Sequence, residues 1–284
     1  MQLIQTQPKT PEARLRIDPQ VTELVLTRYL HNEITKTGFD RAVLGLSGGI
    51  DSALSCYLAA RALGPENVLA LRLPYRTSSP ESLAHADLII EALGIQSETI
   101  DISGMVDSLE AASPEMTAHR KGNVMARARM IAIYDRSAAW NALVIGTSNK
   151  TELLLGYGTI FGDLASAVNP IGDLYKTQVR QLSRAMGVPQ PVLDKAPSAD
   201  LLPDQTDEGD LGFTYEQVDQ LLYLMVDERY TIDEAVSAGF GRAFIERVWR
   251  MVQRAQYKRA LPVIPKITDR SIGHDFRYLR DWGT

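Results

Sequence analysis

The sequence lacks several features that would assign it to a special class of protein. One cysteine, Cys56, stands among 284 residues, so no disulfide can form within the chain and no cysteine-rich metal site can be built. The longest apolar runs span a few residues, far short of a bilayer. The histidines are scattered and form no His-x-x-x-His pair: His31, His85, His119 and His274.

An excess of positive charge is also missing. The chain has 30 basic and 35 acidic side chains, a net charge of −5, which disfavours a general binder of nucleic acid or anionic membranes. Residues 1–18 are polar and lack the apolar core of a signal peptide, so we expect a cytoplasmic protein. Because 45% of the residues are hydrophobic, burial can offset ordering entropy, and a disordered chain is excluded.

Helical patterns and short apolar runs alternate from residue 19 to residue 146. This alternation predicts helices at about 19–37, 51–62, 80–93 and 123–140, and strands at 42–46, 68–73, 97–102 and 143–145. Residues 103–121 and 147–172 show no clear period. Within the first helix, five side chains suit a buried stripe: Val21, Leu24, Val25, Tyr29 and Ile34.

Strands that alternate with helices form parallel sheets, so the fold class is α/β, with a doubly wound, mostly parallel sheet flanked by helices. Further helices are predicted at about 174–186, 215–226, 232–238 and 242–258, which makes the carboxyl-terminal part helical. We expect one domain over 1–284, divided into a loose lead-in (1–18), an α/β nucleotide-binding core (19–187), a mobile loop (188–212) and a helical part (213–284).

The most informative segment follows the first predicted strand and opens a helix. Glycines let the backbone turn tightly and approach a ligand, and the free amides of the first helical turn favour a phosphate. Asp51 would repel a phosphate unless Mg²⁺ lies between them, so the loop predicts a magnesium–polyphosphate site. Its residues are Gly45, Leu46, Ser47, Gly48, Gly49, Ile50, Asp51 and Ser52.

Other interpretations of this loop remain open at this point. No Gly-Lys-Ser/Thr follows it, so it is not a Walker loop, and it does not match Gly-x-Gly-x-x-Gly. It does match Gly-x-Ser-x-Gly, the nucleophile elbow of α/β-hydrolases. That fold places several strands before its elbow, and here the first strand already carries the motif. A plain strand–turn–helix with a polar cap is the remaining alternative.

Ser-Gly-Gly-x-Asp-Ser resembles the signature of the ATP pyrophosphatase (PP-loop) superfamily, whose fold is that of the adenine nucleotide alpha hydrolases. More specifically, five separated segments resemble the NAD⁺ synthetase family in order and spacing. They are 121–130, 146–152, 162–177, 195–201 and 207–212. The resemblance implies ATP-dependent amidation of deamido-NAD⁺ with ammonia through an adenylate, giving NAD⁺, AMP and pyrophosphate.

The resemblance also implies roles for individual residues. ATP would bind the loop 45–52 together with Arg72, Thr147, Lys176 and Ser198. Mg²⁺ would bind Asp51 and Glu152, and these two with Lys176 would form the catalytic group. Deamido-NAD⁺ would contact Arg127, Ile160, Asp163, Ala167, Tyr257 and Lys258.

The sequence departs from the family pattern on the substrate side. Many members carry a lysine at the position of Ile160 and an aspartate at that of Ala167. The run 161–166 resembles glutamine-dependent members, but the chain has no room for a glutaminase domain. We therefore expect free ammonia, or ammonia delivered by a separate glutaminase chain. The resemblance also implies a homodimer, for which we expect helices 21–37 and 123–140 at the contact.

Three alternatives to this function stay open. GMP synthetase shares the loop but not the downstream motifs. A tRNA thiolase would need a cysteine pair and a basic surface. In a silent nucleotide-binding module, the carboxylates of Asp51 and Glu152 would be a liability beside phosphates.

Overall fold

The structure is a computed structural model that describes residues 11–198, 206–260 and 262–272. At its centre, four parallel strands lie in the order β3-β2-β1-β4. This confirms the α/β class with a parallel sheet. The strands are β1 (Ala42–Gly45), β2 (Val68–Arg72), β3 (Gln96–Thr99) and β4 (Leu143–Val144).

Helices connect and flank these strands. Those up to residue 194 are α1 (Pro11–Arg14), α2 (Pro19–Thr35), α3 (Ile50–Leu63), α4 (Pro80–Leu93), α5 (Ser103–Ala111), α6 (Ala118–Trp140), α7 (Lys150–Leu155), α8 (Lys176–Ala185) and α9 (Gln190–Asp194). After residue 206 come α10 (Asp207–Leu211), α11 (Tyr215–Leu222), α12 (Ile232–Ser237) and α13 (Arg242–Arg254). A π-helical turn (Tyr223–Asp227) continues α11, and 3₁₀ turns cover Pro65–Asn67 and Gln256–Arg259. No helix in these described ranges is long and apolar enough to cross a membrane.

The sheet separates two hydrophobic cores, because successive strand residues point to opposite faces. On one face, Ala42 and Leu44 pack in a core with residues of α2, α3 and α8. On the other face, Val43 packs with residues of α5 and α6. A third core joins α7 with α10 to α13, so the helical carboxyl-terminal part has its own apolar centre.

The segments without a sequence period contain more helix than we expected. Residues 103–121 hold α5 and the first turn of α6, residues 147–172 hold α7, and residues 188–212 hold α9 and α10. These helices are short or polar, so packing and capping stabilise them more than an apolar stripe does. Residues 199–205 of the predicted loop lie outside the described part. The predicted lead-in is partly ordered, since α1 forms and Leu15 is buried in the third core.

The predicted buried stripe of α2 is wrong for four of its five members. Ile34 is buried, but Val21, Leu24, Val25 and Tyr29 are between 43% and 57% exposed. Helix α2 is apolar on two faces, and only the face that packs against α3 and α8 is buried. A second apolar face of α2 therefore lies at the surface of the monomer.

Candidate active site

The glycine-rich loop lies at the carboxyl end of β1, where α3 begins. Gly48 adopts a left-handed conformation with φ of 73°, and a Cβ there would lie 2.2 Å from the carbonyl oxygen of Ser82. Only glycine fits this turn, because α4 packs directly against it. Gly49 precedes α3 and has no side chain to cap the helix. The amides of the first turn thus face the cavity with their hydrogen-bonding capacity available to a ligand.

Two serine hydroxyls hold the loop in shape. The Ser52 hydroxyl donates to the Gly49 carbonyl at 3.0 Å and lies 3.1 Å from the Ser47 hydroxyl. The amide of Gly49 donates to Ser47 Oγ at 3.3 Å. These bonds fix the turn before a ligand arrives, which lowers the ordering cost of binding.

Three predicted site residues meet beside this loop. Lys176 is the first residue of α8, and its ammonium donates to Asp51 and, at 3.4 Å, to Glu152 Oε1. Asn149 Nδ2 donates to Asp51 Oδ1 at 2.9 Å. Asp51 follows β1, whereas Asn149, Glu152 and Lys176 come after β4, and the carboxyl edge of the sheet brings these side chains together.

Glu152 is held by the start of its own helix. The Asn149 side chain accepts from the Glu152 amide at 3.0 Å, and Glu152 Oε2 accepts from the Asn149 amide at 3.4 Å. Together these two bonds form a capping box, a structural role that needs no ligand. One carboxylate serves both purposes, since one oxygen caps α7 and the other faces Lys176.

The charges in the cluster shift one another's protonation. Burial and the nearby charge of Asp51 raise the pKa of Glu152 to about 8, and Lys176 opposes the shift. For Lys176 burial alone would lower the pKa, but Asp51 and Glu152 outweigh it and hold the pKa above its usual value. Two carboxylates around a buried ammonium therefore form a site that favours a further positive charge.

The carboxyl-terminal helices add groups that the sequence did not single out as site residues. Asp207 at the start of α10 lines the cavity, and its Oδ2 accepts from the Tyr215 hydroxyl at 2.9 Å. The Tyr215 ring lies 5.0 Å from Lys176 Nζ. Burial raises the pKa of Asp207. Asp207 stands in 207–212, one of the five segments that resemble the family, so the sequence did contain a signal for this residue.

The rest of the cavity extends from the loop along the end of the sheet. Thr147 and Ser198 line it, as does Lys195, whose ammonium donates to Ser82 Oγ at 2.8 Å. Arg72 is not among the lining residues, and its guanidinium pairs with Asp87 on α4. The adenine contact of Arg72 stays a prediction.

The guanidinium at this end of the cavity belongs to Arg129 on α6, which donates to the Leu73 carbonyl at 3.1 Å. The sequence could not separate Arg129 from Arg127, two residues earlier, because the helix phase that turns one of them toward the sheet is set by packing.

The residues predicted to contact deamido-NAD⁺ form two groups and two outliers. Arg127 donates to the Ile160 carbonyl at 3.3 Å. Asp163 lines the cavity and accepts from the Thr159 amide at 2.7 Å, and surrounding protein raises its pKa although the cavity leaves it accessible to solvent.

Lys258 lies near enough to Asp163 for their charges to interact, and it donates to the carbonyls of Gly156 and Gly158 at 2.8 and 2.7 Å. The two outliers, Ala167 and Tyr257, are exposed, and of these six residues only Asp163 is among the residues that line the cavity. Their contacts with the substrate stay predictions.

Comparisons with known proteins identify relatives of this chain. The profile of the family described as NAD synthase matches residues 23–262. The NH(3)-dependent NAD(+) synthetase of Trichlorobacter lovleyi is 57% identical over 271 residues, which are 95% of this chain and 99% of that protein.

Solved structures are similar over most of their length. An NMN synthetase from Francisella tularensis matches with a TM-score of 0.79 and 34% identity, covering 89% of this chain and 100% of the other. An NH3-dependent NAD synthetase from Campylobacter jejuni matches with a TM-score of 0.76 and 33% identity, covering 88% and 100%.

Proposed function

The chain belongs to the NAD synthase family, and from that premise we propose that it amidates deamido-NAD⁺ with ammonia, consuming ATP and releasing AMP and pyrophosphate. It is a carbon–nitrogen ligase. The observation that carries the proposal is the meeting of a preformed phosphate loop with Asp51, Glu152 and Lys176 at one edge of the sheet.

The loop 47–52 would hold the β- and γ-phosphates of ATP through its amides and hydroxyls. The ammonium of Lys176 has three N–H donors. Two of them donate to the carboxylates of Asp51 and Glu152, and the third can donate to a phosphate oxygen. The cavity wall formed by Thr147, Ser198 and Arg129 would take the nucleoside.

The donors present fit Mg²⁺. Mg²⁺ is usually held by one or two carboxylates together with substrate phosphates. Asp51 and Glu152 supply two such carboxylates, and the pKa of about 8 for Glu152 reflects burial first and repulsion by Asp51 second, both of which a bound cation would offset. The described residues contain no group of three His, Cys, Asp or Glu side chains able to hold an ion alone, so the phosphates would complete the site. When bound, Mg²⁺ would neutralise charge on the leaving pyrophosphate.

The residues then act mainly by alignment. The nicotinate carboxylate attacks the α-phosphorus of ATP, a bond to phosphorus forms, and the bond to the bridging oxygen breaks as pyrophosphate leaves. The ammonium of Lys176 would stabilise the charge that develops on that oxygen. Ammonia next attacks the acyl carbon of the adenylate, the amide bond forms and AMP leaves. Asp163, which lines the cavity and has a raised pKa, would accept the proton that the attacking amine loses.

On the substrate side, Arg127, Asp163 and Lys258 would contact deamido-NAD⁺, with Tyr257 and the loop around Ile160 and Ala167 at the rim. Because the structurally similar Francisella protein is named an NMN synthetase, the deamido form of NMN is the alternative substrate to compare. The comparison of the two substrates is needed because Ile160 and Ala167 stand where many family members carry a lysine and an aspartate.

We also propose a homodimer. The exposed apolar residues of α2 and two exposed residues of α6, Ile131 and Tyr134, would be covered by a second copy. Light scattering of the purified protein measures the stoichiometry, and a strict monomer would refute this part. Since the reaction consumes ATP, the proposed compartment is the cytoplasm.

The experiment mixes protein, ATP, Mg²⁺ and ammonium with deamido-NAD⁺ or the deamido form of NMN. We expect NAD⁺, AMP and pyrophosphate in equal amounts without glutamine, and no AMP when the acceptor is omitted. Asp51→Ala should abolish AMP formation and leave the fold intact. Asp173→Ala, which removes an exposed carboxylate outside the cavity lining, is the matched control. An active Asp51→Ala enzyme, or a strict requirement for glutamine, would contradict the proposal.

A further inference from the structure

A carboxylate with no proposed contact to substrate is buried behind the charged cluster. Asp219 lies on α11 and is fully inaccessible to solvent. Both of its oxygens are used: Oδ1 accepts from the Thr151 hydroxyl at 2.5 Å, and Oδ2 accepts from the Thr177 amide at 2.8 Å. One side chain of α11 thus binds the starts of both α7 and α8.

The two threonines flank the residues of the cluster. Thr151 precedes Glu152 in α7, and Thr177 follows Lys176 in α8. The hydroxyl of Thr151 also accepts from the amide of Lys176 at 3.0 Å. A threonine hydroxyl has one hydrogen to donate, and that hydrogen goes to Asp219, so its lone pairs are left for the amide. The chain of bonds therefore has a fixed direction.

Burying a carboxylate is costly unless it is hydrogen-bonded. Burial raises the pKa of Asp219 to about 6, while the bonds from Thr151 and Thr177 and the charge of Lys176 hold it down. Near neutral pH the group is ionised, and its negative charge lies at the N-terminus of α8, where the helix dipole favours it. An apolar side chain would fill this place at lower cost but could not orient two helix starts.

We propose that Asp219 is a positioning residue for ATP cleavage. Through Thr151 and Thr177 it sets the separation and rotation of α7 and α8, and so the place of Glu152 and Lys176 relative to Asp51. The proposal rests on the proposed function, because Lys176 is taken to stabilise the leaving pyrophosphate. Asp219 itself would contact neither ATP nor metal.

The test compares Asp219→Asn with Asp227→Asn in the full-length protein. Asp227 is a suitable control because it also bridges α7 and the start of α8, through Lys150 and Tyr175, but binds neither threonine. A displacement of reacting groups by about 1 Å lowers turnover on the order of 100-fold. We therefore expect kcat for AMP formation to fall 10- to about 100-fold in Asp219→Asn, with KM for ATP changed less than about threefold. Asp227→Asn should keep kcat within about threefold.

A second pair covers the case in which Asp219→Asn does not fold. Thr151→Ser keeps the hydroxyl and should retain wild-type kcat, whereas Thr151→Val removes it and should lower kcat with little change in KM. Equal kcat in these two variants, wild-type kcat in folded Asp219→Asn, or equal losses in the two aspartate variants would overturn the proposal. A wild-type protein that forms no NAD⁺ or NMN would instead refute the proposed function.

Discussion

Replacing Gly48 by alanine tests how strictly the phosphate loop depends on its neighbour α4. The residue has φ of 73°, and its added Cβ would lie 2.2 Å from the Ser82 carbonyl oxygen and 3.1 Å from the Cβ of His85. The left-handed conformation costs a residue with a Cβ about 1–2 kcal/mol. Relieving the overlap with a backbone atom adds about 1–3 kcal/mol, since α4 or the loop must move.

Gly38→Ala separates these two contributions. Gly38 also has a positive φ, 82°, but a Cβ there would meet nothing within 4 Å. We expect Gly38→Ala to lower the free energy of unfolding by about 1–2 kcal/mol. Gly48→Ala should lower it by about 2–5 kcal/mol, the sum of both costs.

Urea unfolding followed by tryptophan fluorescence gives both values, and an ATP titration gives the effect on binding. Because the displaced loop can no longer present its amides together, we expect Gly48→Ala to weaken ATP binding more than about tenfold, whereas Gly38→Ala leaves it unchanged. Equal destabilisation by the two variants, or wild-type ATP affinity in Gly48→Ala, would refute the packing argument.

Three further predictions concern groups around the cavity. The raised pKa of Glu152 means that the folded protein without metal binds its proton more tightly than the unfolded chain, so this group's contribution to stability is fully present below about pH 4.5 and lost as the pH rises from there through about 8. Glu152→Gln should flatten that part of a pH series of urea midpoints. Arg259→Ala leaves the last carbonyls of α7 unpaired and should cost about 2 kcal/mol in the same assay, with a loss below about 0.5 kcal/mol counting against the capping role. Lys258→Met frees the carbonyls of Gly156 and Gly158 and should raise KM for deamido-NAD⁺ several-fold without changing KM for ATP, and an equal rise in both would contradict this assignment.

Much of the α/β part could be predicted because its signals are local. The apolar run 42–46, the glycines after it and the helix that follows all depend on neighbours in sequence, and the structure places β1 and α3 within one residue of expectation. Helix α7 was missed because its stability comes from the capping box of Asn149 and Glu152 and from the third core, not from a period.

The candidate site was predictable to the extent that motifs carried it. Asp51, Glu152 and Lys176 were found through segments of recognisable sequence, and the structure brings them together. Arg129 and Asp219 were not found, since the first depends on which way a helix faces and the second on contacts between α11 and residues more than 40 positions away. Neither property is contained in local sequence.

The Lys176 cluster also joins two hydrophobic cores. Asp51 stands on α3, which packs in the first core, while Glu152 and Asp207 stand on helices of the third. A nucleotide that binds to this cluster therefore changes how strongly the carboxyl-terminal helices are attached to the sheet. By thermodynamic linkage the effect is mutual. If the nucleotide favours the attached arrangement of these helices by a given factor, nucleotide affinity is higher by that same factor when the helices are attached.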